Sequence, residues 1–165
     1  MDLFQKRWNV RILALLYEHK GARFVVLKHG LNVNADSLTR SLQHLMKDGW
    51  VERNPGYGHP LRPEYILTPQ GHAVAPQCSR LVSAVDRLDV AKAVYCKWSV
   101  PLLVTIKAGI VRFNGLRETL AINPRALTQG LQRLSASELI LQRLEYDLTP
   151  SGDRIATLAR DLFQE

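Results

Sequence analysis

Leu38, Leu42 and Leu45, and again Leu127, Leu131 and Leu134, fall at i, i+4 and i+7. That spacing lays side chains along one face of a helix. The residues between them are largely polar, in "VNADSLTRSLQHL" (33–45) and "INPRALTQGLQRL" (122–134), so each stretch predicts an amphipathic helix with a single buried stripe. Each helix begins at an asparagine, Asn34 or Asn123, and Pro124 takes the first helical position of the second, where a missing N–H costs little. Upstream, Val10, Ile12, Leu13, Leu15 and Leu16 predict an earlier helix opened by a polar cap at Asn9. Ser99 and Pro101 open its counterpart in the second half. A short helix between these two starts near Arg23 or Arg112. After Gly49, "WVER" and "PEYIL" read as two short strands around a loop rich in Gly and Pro.

The same order occurs twice. Shifted by 89 residues, 22–31 and 111–120 share four identities, and 32–45 and 121–134 share six, which makes ten in 24 ungapped positions. "RWNVRIL" (7–13) falls on "KWSVPLL" (97–103) with one further residue of shift, and "YILTPQG" (65–71) matches "YDLTPSG" (146–152) at an offset of 81. Eight residues are therefore missing from the second copy between its last helix and the "LTP". The chain is a tandem duplication, and three helices followed by a two-stranded wing is the order of a winged helix-turn-helix. The expected fold is mainly α with small β-wings (α+β), a tandem duplicated winged helix-turn-helix joined by a connector helix. The expected domains are 1–74 with a full wing, a connector at 75–96, and 97–165 with a shortened wing. The stretch 79–96 has the apolar pattern of a packed helix and lacks a flexible tether's Gly/Ser richness. "GDRIATLARDLFQE" at the C-terminus is expected to pack against the connector or against another chain, which leaves open a homodimer through the connector and C-terminal helices.

Charge narrows the partners. The 165 residues carry a formal net charge of +7 with a sequence pI of about 9.7, a balance that favours polyanions, above all nucleic acid. A hydrophobic fraction of 46% is enough for a packed core. Apolar runs such as Leu13 to Tyr17 fall far short of a membrane span, and "MDLFQKRWNV" lacks a signal peptide's apolar core. Cys78 and Cys96 are too few for a disulfide framework, and no Cys/His cluster has zinc-ligand spacing. The setting expected is a reducing cytoplasm, with the protein nucleoid-associated. The five histidines form no ligand set, and no carboxylate pair, phosphate loop or nucleophile motif is present. No enzyme, cofactor or metal is expected.

"KWSVPLLVTI", "RFNGLRETL", "INPRALTQGLQRL" and "YDLTPSG" together resemble the HxlR-type winged-helix regulators, bacterial proteins related to the broader MarR-like group. The first copy resembles them through "RFVVLKHGL", "SLTRSLQHLMKDGWVER" and the wing "RNPGYGHPLRPEYILTPQG". The resemblance covers roughly 7–71 and 97–152 and implies a transcription regulator whose third helix reads the major groove while the wing reaches the minor groove. This chain departs from the family in fusing two domains that usually occur singly and dimerise. Its second copy has lost most of the wing. No cysteine stands about a dozen residues before the "KW" pair, where some members carry a redox sensor, so Cys78 and Cys96 read as buried or idle thiols.

Opposite the leucine stripe, the first copy's helix presents Asp36, Arg40, Gln43 and Lys47, flanked by Thr39 and His44; the second presents Arg125, Gln129 and Gln132, flanked by Thr128 and Arg133. Arginine and glutamine can make paired contacts with guanine and adenine edges, and Thr, Lys and helix N-terminal amides suit phosphates. Asp36 is expected to cap its helix. In the first wing, Arg53 and Arg62 suit a narrow minor groove, with Tyr57 and His59 nearby. Trp8, Trp98, Phe24 and Phe113 recur at equivalent places and are expected in the core rather than stacked on bases. The reading is thus a double-stranded DNA-binding regulator whose two helices come from one polypeptide, suited to successive major grooves ~34 Å apart. An architectural or DNA-repair-associated protein that binds phosphates alone, and a protein-interaction scaffold, are the alternatives. A small-molecule effector is not legible.

Overall fold

The computed structural model describes residues 3–54, 64–142, 146–160 and 162. Packing separates the chain into two compact units, Trp8–Val82 and Ser83–Glu165, with Met1–Arg7 joining the second.

In the first unit, α1 (Asn9–His19) buries Ile12, Leu13 and Leu16, and β1 (Ala22–Arg23) leads into α2 (Phe24–Leu31). The third helix, α3 (Ala35–Lys47), buries Leu38, Leu42 and Leu45 as its spacing predicts. A hairpin of β2 (Val51–Asn54) and β3 (Glu64–Leu67) follows, and β1 adds to the far edge of β3. Val51 pairs with Leu67 and Arg53 with Tyr65 in this antiparallel sheet. The next helix, α4 (Pro69–Arg87), is ten residues longer at its start than the 79–96 pattern suggests, because Thr68 and Pro69 open it directly from the hairpin. It passes through Pro76 and stops at Asp89, whose φ of +52° ends the helix in a left-handed turn.

The second unit repeats the plan. After α5 (Ala91–Val94) come α6 (Ser99–Lys107), α7 (Phe113–Thr119) and α8 (Pro124–Ala136), then β4 (Ile140–Gln142), β5 (Tyr146–Leu148) and α9 (Pro150–Arg160). Leu127, Leu131 and Leu134 of α8 are buried. The C-terminal helix packs on α6 and β5 of its own repeat. The missing eight residues are accounted for in the hairpin: each strand shortens from four residues to three, and the connection from nine residues (55–63) to three (143–145).

One interaction set recurs at the same place in both units. The third helix ends in a left-handed residue, Gly49 (φ +75°) or Glu138 (φ +54°), with the following amide bonded back to the last turn (Trp50 N to Leu45 O and Leu139 N to Leu134 O, both 2.9 Å). The hydroxyl of Thr68 donates to the Gly49 carbonyl, and that of Thr149 to the Glu138 carbonyl, both at 2.6 Å. Each hydroxyl also accepts from the amide that opens the next helix, Gly71 N at 3.0 Å and Gly152 N at 3.1 Å. The approach is so close that a Cβ on Gly71 would lie 2.1 Å from the Trp50 carbonyl oxygen, and one on Gly152 would lie 1.8 Å from that of Leu139. The "LTPxG" repeated in the sequence is this clasp.

Several local expectations are corrected. Asn9 and Ser99 do not cap their helices: Trp8 and Trp98 hold the cap positions without a side-chain bond, and Asn9 and Ser99 lie inside the first turn, both 0% exposed. The cause is that the Trp8 and Trp98 carbonyls already accept from Ile12 N and Leu102 N. Asp36 does not cap either, since Asn34 Oδ1 accepts from Ser37 N at 2.8 Å. The two tryptophans are half-buried rather than core, each beside a cation, with Arg11 5.1 Å from the Trp8 ring centre and Lys97 5.0 Å from that of Trp98. Phe24 and Phe113 are half-buried too. Cys78 is buried as expected, and burial pushes its thiol up to about 12, whereas Cys96 is half-buried with Sγ directed at the Lys92 carbonyl.

Gly71→Ala and Gly152→Ala are expected to destabilise their own units by about 1–3 kcal/mol or more through overpacking. Thr68→Val and Thr149→Val should each cost roughly 1–3 kcal/mol by stripping a part-buried carbonyl of its donor and a helix of its cap. Denaturant titration followed by circular dichroism reads both, and unchanged midpoints would remove the clasp from the account. The Cys78 thiol stays protonated in the folded chain, so the folded state holds a proton that the unfolded state releases as pH rises from 9.0 towards about 12, and stability falls across that window. At pH 8 a thiol alkylator should therefore label Cys96 well before Cys78, with Cys78 reacting only on unfolding; equal rates by mass spectrometry would contradict this burial.

Candidate nucleic-acid interface

The buried leucines fix which side of α3 and α8 faces outward. On α3, Thr39, Arg40, Gln43 and Lys47 are exposed and share one face. Arg40 is partly ordered by its own helix, with Nε donating to the Asp36 carbonyl at 3.3 Å. His44, expected to flank this face, is half-buried: its Nδ1 lies 3.1 Å from Asp48 Oδ2 and 3.4 Å from Asn9 Nδ2. One nitrogen cannot serve both, because a proton on Nδ1 suits the carboxylate and opposes the amide N–H. On α8, Arg125, Thr128, Gln129 and Gln132 are exposed, and Arg133, which stands where His44 stands in the first repeat, is half-buried. The Thr128 hydroxyl donates to the Pro124 carbonyl at 3.0 Å, so that proton would have to swing away before it could bond an acceptor-only phosphate.

Both helices are capped alike, Asn34 Oδ1 taking Ser37 N and Asn123 Oδ1 taking Ala126 N at 2.8 Å. The outward faces are therefore held in equivalent register on rigid, three-turn helices whose inner sides are locked by leucine. In the hairpin, Arg53 is exposed on β2. Arg62, together with Tyr57 and His59, lies outside the described residues.

The outward faces of α3 and α8 are not the whole basic surface. Lys28 in the last turn of α2 is exposed, and Arg117 occupies the same place in α7, half-buried with Nη2 3.8 Å from Glu118 Oε1. Sequence reasoning passed over this pair although the 89-residue shift places lysine on arginine. Arg23 is engaged elsewhere, 3.5 Å from Glu64 across β1 and β3. Among the described residues no group of three His, Cys, Asp or Glu could hold a metal ion, and no helix is long and apolar enough to cross a membrane.

The HxlR-like helix-turn-helix family model matches this chain twice, over residues 3–89 and 93–164. An uncharacterized HTH-type transcriptional regulator, YtfH of Escherichia coli K12, is 29% identical over 96 residues, covering 53% of this chain and 71% of YtfH, and its Shigella flexneri counterpart matches equally. Among solved structures, reduced MarR from E. coli is similar at 32% identity with a TM-score of 0.41, over 45% of this chain and 54% of that one. A MarR cysteine mutant complexed with operator DNA is similar at 31% identity with a TM-score of 0.41, over 48% and 57%. This chain thus spans about half the length of the MarR chains it matches. It belongs to the HxlR-like helix-turn-helix family of transcriptional regulators, and it carries the family's unit in two consecutive copies.

Proposed function

We propose that this protein regulates transcription by binding double-stranded DNA, with α3 and α8 as the helices that enter the major groove. The observation that carries the reading is the twofold occurrence of one device: an asparagine-capped helix, locked inward by three leucines, presenting arginine and glutamine outward. Those two residue types can form paired hydrogen bonds with purine edges. Arg40, Gln43, Arg125, Gln129 and Gln132 take the base-reading roles, while Lys47, Thr39 and the exposed Lys28 suit phosphates. His44 and Arg133, half turned inward, are assigned to orienting the helix and to its flank. Arg53 extends the basic surface along the hairpin, and Thr128 contributes once its hydroxyl leaves the Pro124 carbonyl. The net charge of +7 supports electrostatic attraction to the duplex.

Fluorescence anisotropy against a random duplex and a matched single strand tests this. Duplex affinity should fall by orders of magnitude between ~50 and ~200 mM salt as phosphate contacts are screened. Lys47→Ala should weaken binding to all duplexes alike and reduce the salt slope by about one. Absence of duplex binding even at ~50 mM salt would remove the DNA reading and turn the search to a protein partner.

A further inference from the structure

The two reading helices differ most sharply at one position. Two residues beyond the capping asparagine, the first repeat has Asp36 and the second has Arg125. Because both caps bond the amide three residues on at 2.8 Å, Asp36 and Arg125 occupy the same place in the first turn of α3 and α8. Both are exposed, and among the described residues neither side chain has a hydrogen bond or ion pair. Neither is needed as a cap.

Helix electrostatics does not explain the pair. The N-terminal turn carries partial positive charge, which suits Asp36 but opposes Arg125. An arginine kept in the first turn, against the dipole and without a partner, is available to a ligand that offers it acceptors. The rest of the face has diverged in step: Arg40 of α3 is replaced by Gln129 in α8, whereas Gln43 and Gln132 agree. Arg40 folds back along α3, its Nε on the Asp36 backbone carbonyl at 3.3 Å.

We propose that Asp36 and Arg125 are the specificity-determining residues of the two helices, and that they select opposite bases. Arg125 presents a fork of N–H donors to the O6 and N7 acceptors of guanine; Asp36 accepts from the N4 amine of cytosine and is repelled by guanine's acceptors. The preferred duplex is therefore asymmetric, with a guanine read by α8 and a cytosine read by α3 at the matching position. This inference rests on the DNA-binding reading above.

The test uses the full chain, first to select preferred sequences from a randomised duplex pool and then to measure affinity by anisotropy on the selected duplex and its single-position variants. Circular dichroism confirms that the exposed substitutions leave the fold intact. Arg125→Ala should lose roughly tenfold to a hundredfold on the selected duplex by flattening the preference at one guanine, with other positions unchanged. Asp36→Ala should flatten a different position, one that prefers cytosine, and Asp36→Arg should convert that preference to guanine. A uniform change across all duplexes in these variants would overturn the inference while leaving DNA binding intact, since phosphate contacts alone behave that way. Failure of the unsubstituted chain to bind any duplex at low salt would overturn both.

Discussion

The hydroxyl of one threonine in each repeat ties together the parts that make the fold. Thr68 and Thr149 donate to the carbonyl that closes the third helix and accept from the amide that opens the next one. A single hydroxyl thus serves the carbonyl of the left-handed residue beyond one helix and an orphan amide at the start of the next. The glycine three residues on allows the helix to sit against the backbone of the residue after the turn, at a separation no side chain would permit. The hairpin is pinned at its base by the same contact, because Thr68 N and Thr149 N bond to the Trp50 and Leu139 carbonyls. The exit angle of the third helix, the start of the strands and the start of the following helix are consequently one geometric unit. Without it, the outward face of the third helix would have no fixed relation to the wing.

This constraint explains what the duplication has kept and what it has changed. Asn34 and Asn123, the leucine stripes, the threonine clasp and its glycine are retained in both copies. Other parts have drifted. The hairpin beyond its base has shortened on both strands and in its connection, and the outward faces have exchanged charge. Even the left-handed residue has changed, from Gly49 to Glu138. A residue with a Cβ costs about 1–2 kcal/mol in that conformation, so the second repeat is held there by its surrounding bonds rather than by its own preference.

The parts legible in the sequence are those governed by local rules. Apolar spacing located α3 and α8, asparagine and proline located their starts, and Gly/Pro punctuation located the hairpin. What escaped depends on neighbours distant in sequence. Asn9 and Ser99 look like caps, yet tertiary packing draws them inside, where Asn9 Oδ1 and Ser99 Oγ have no hydrogen-bond partner among the described residues. His44 belongs to the outward face on a wheel but is turned towards Asp48 and Asn9, 35 residues away. The strand β1 is two residues long and has no alternation to detect; it exists because β3 offers it an edge. The clasp was visible as the repeated "LTPxG", but its meaning required knowing which carbonyls it would meet. Four exposed positions on each helix could be named in advance because burial of leucine leaves the opposite side no choice.

Departures from local preference are informative when a duplicate supplies the control. Arg125 opposes the dipole of its helix, while Asp36 at the same place suits it. If the first turn served stability alone, the acidic residue would be the better choice in both copies. Both repeats carry other local costs, in Lys20 and Asn32 or Ala121 and Glu138 at left-handed positions and in the buried Asn9 Oδ1 or Ser99 Oγ. The basic first turn stands in the copy with the shorter hairpin. On the proposed DNA-binding function, an outward arginine there adds at α8 a contact with a polyanion that the shortened hairpin is less able to make. Loss of the wing and gain of the arginine are then two sides of one redistribution of charge.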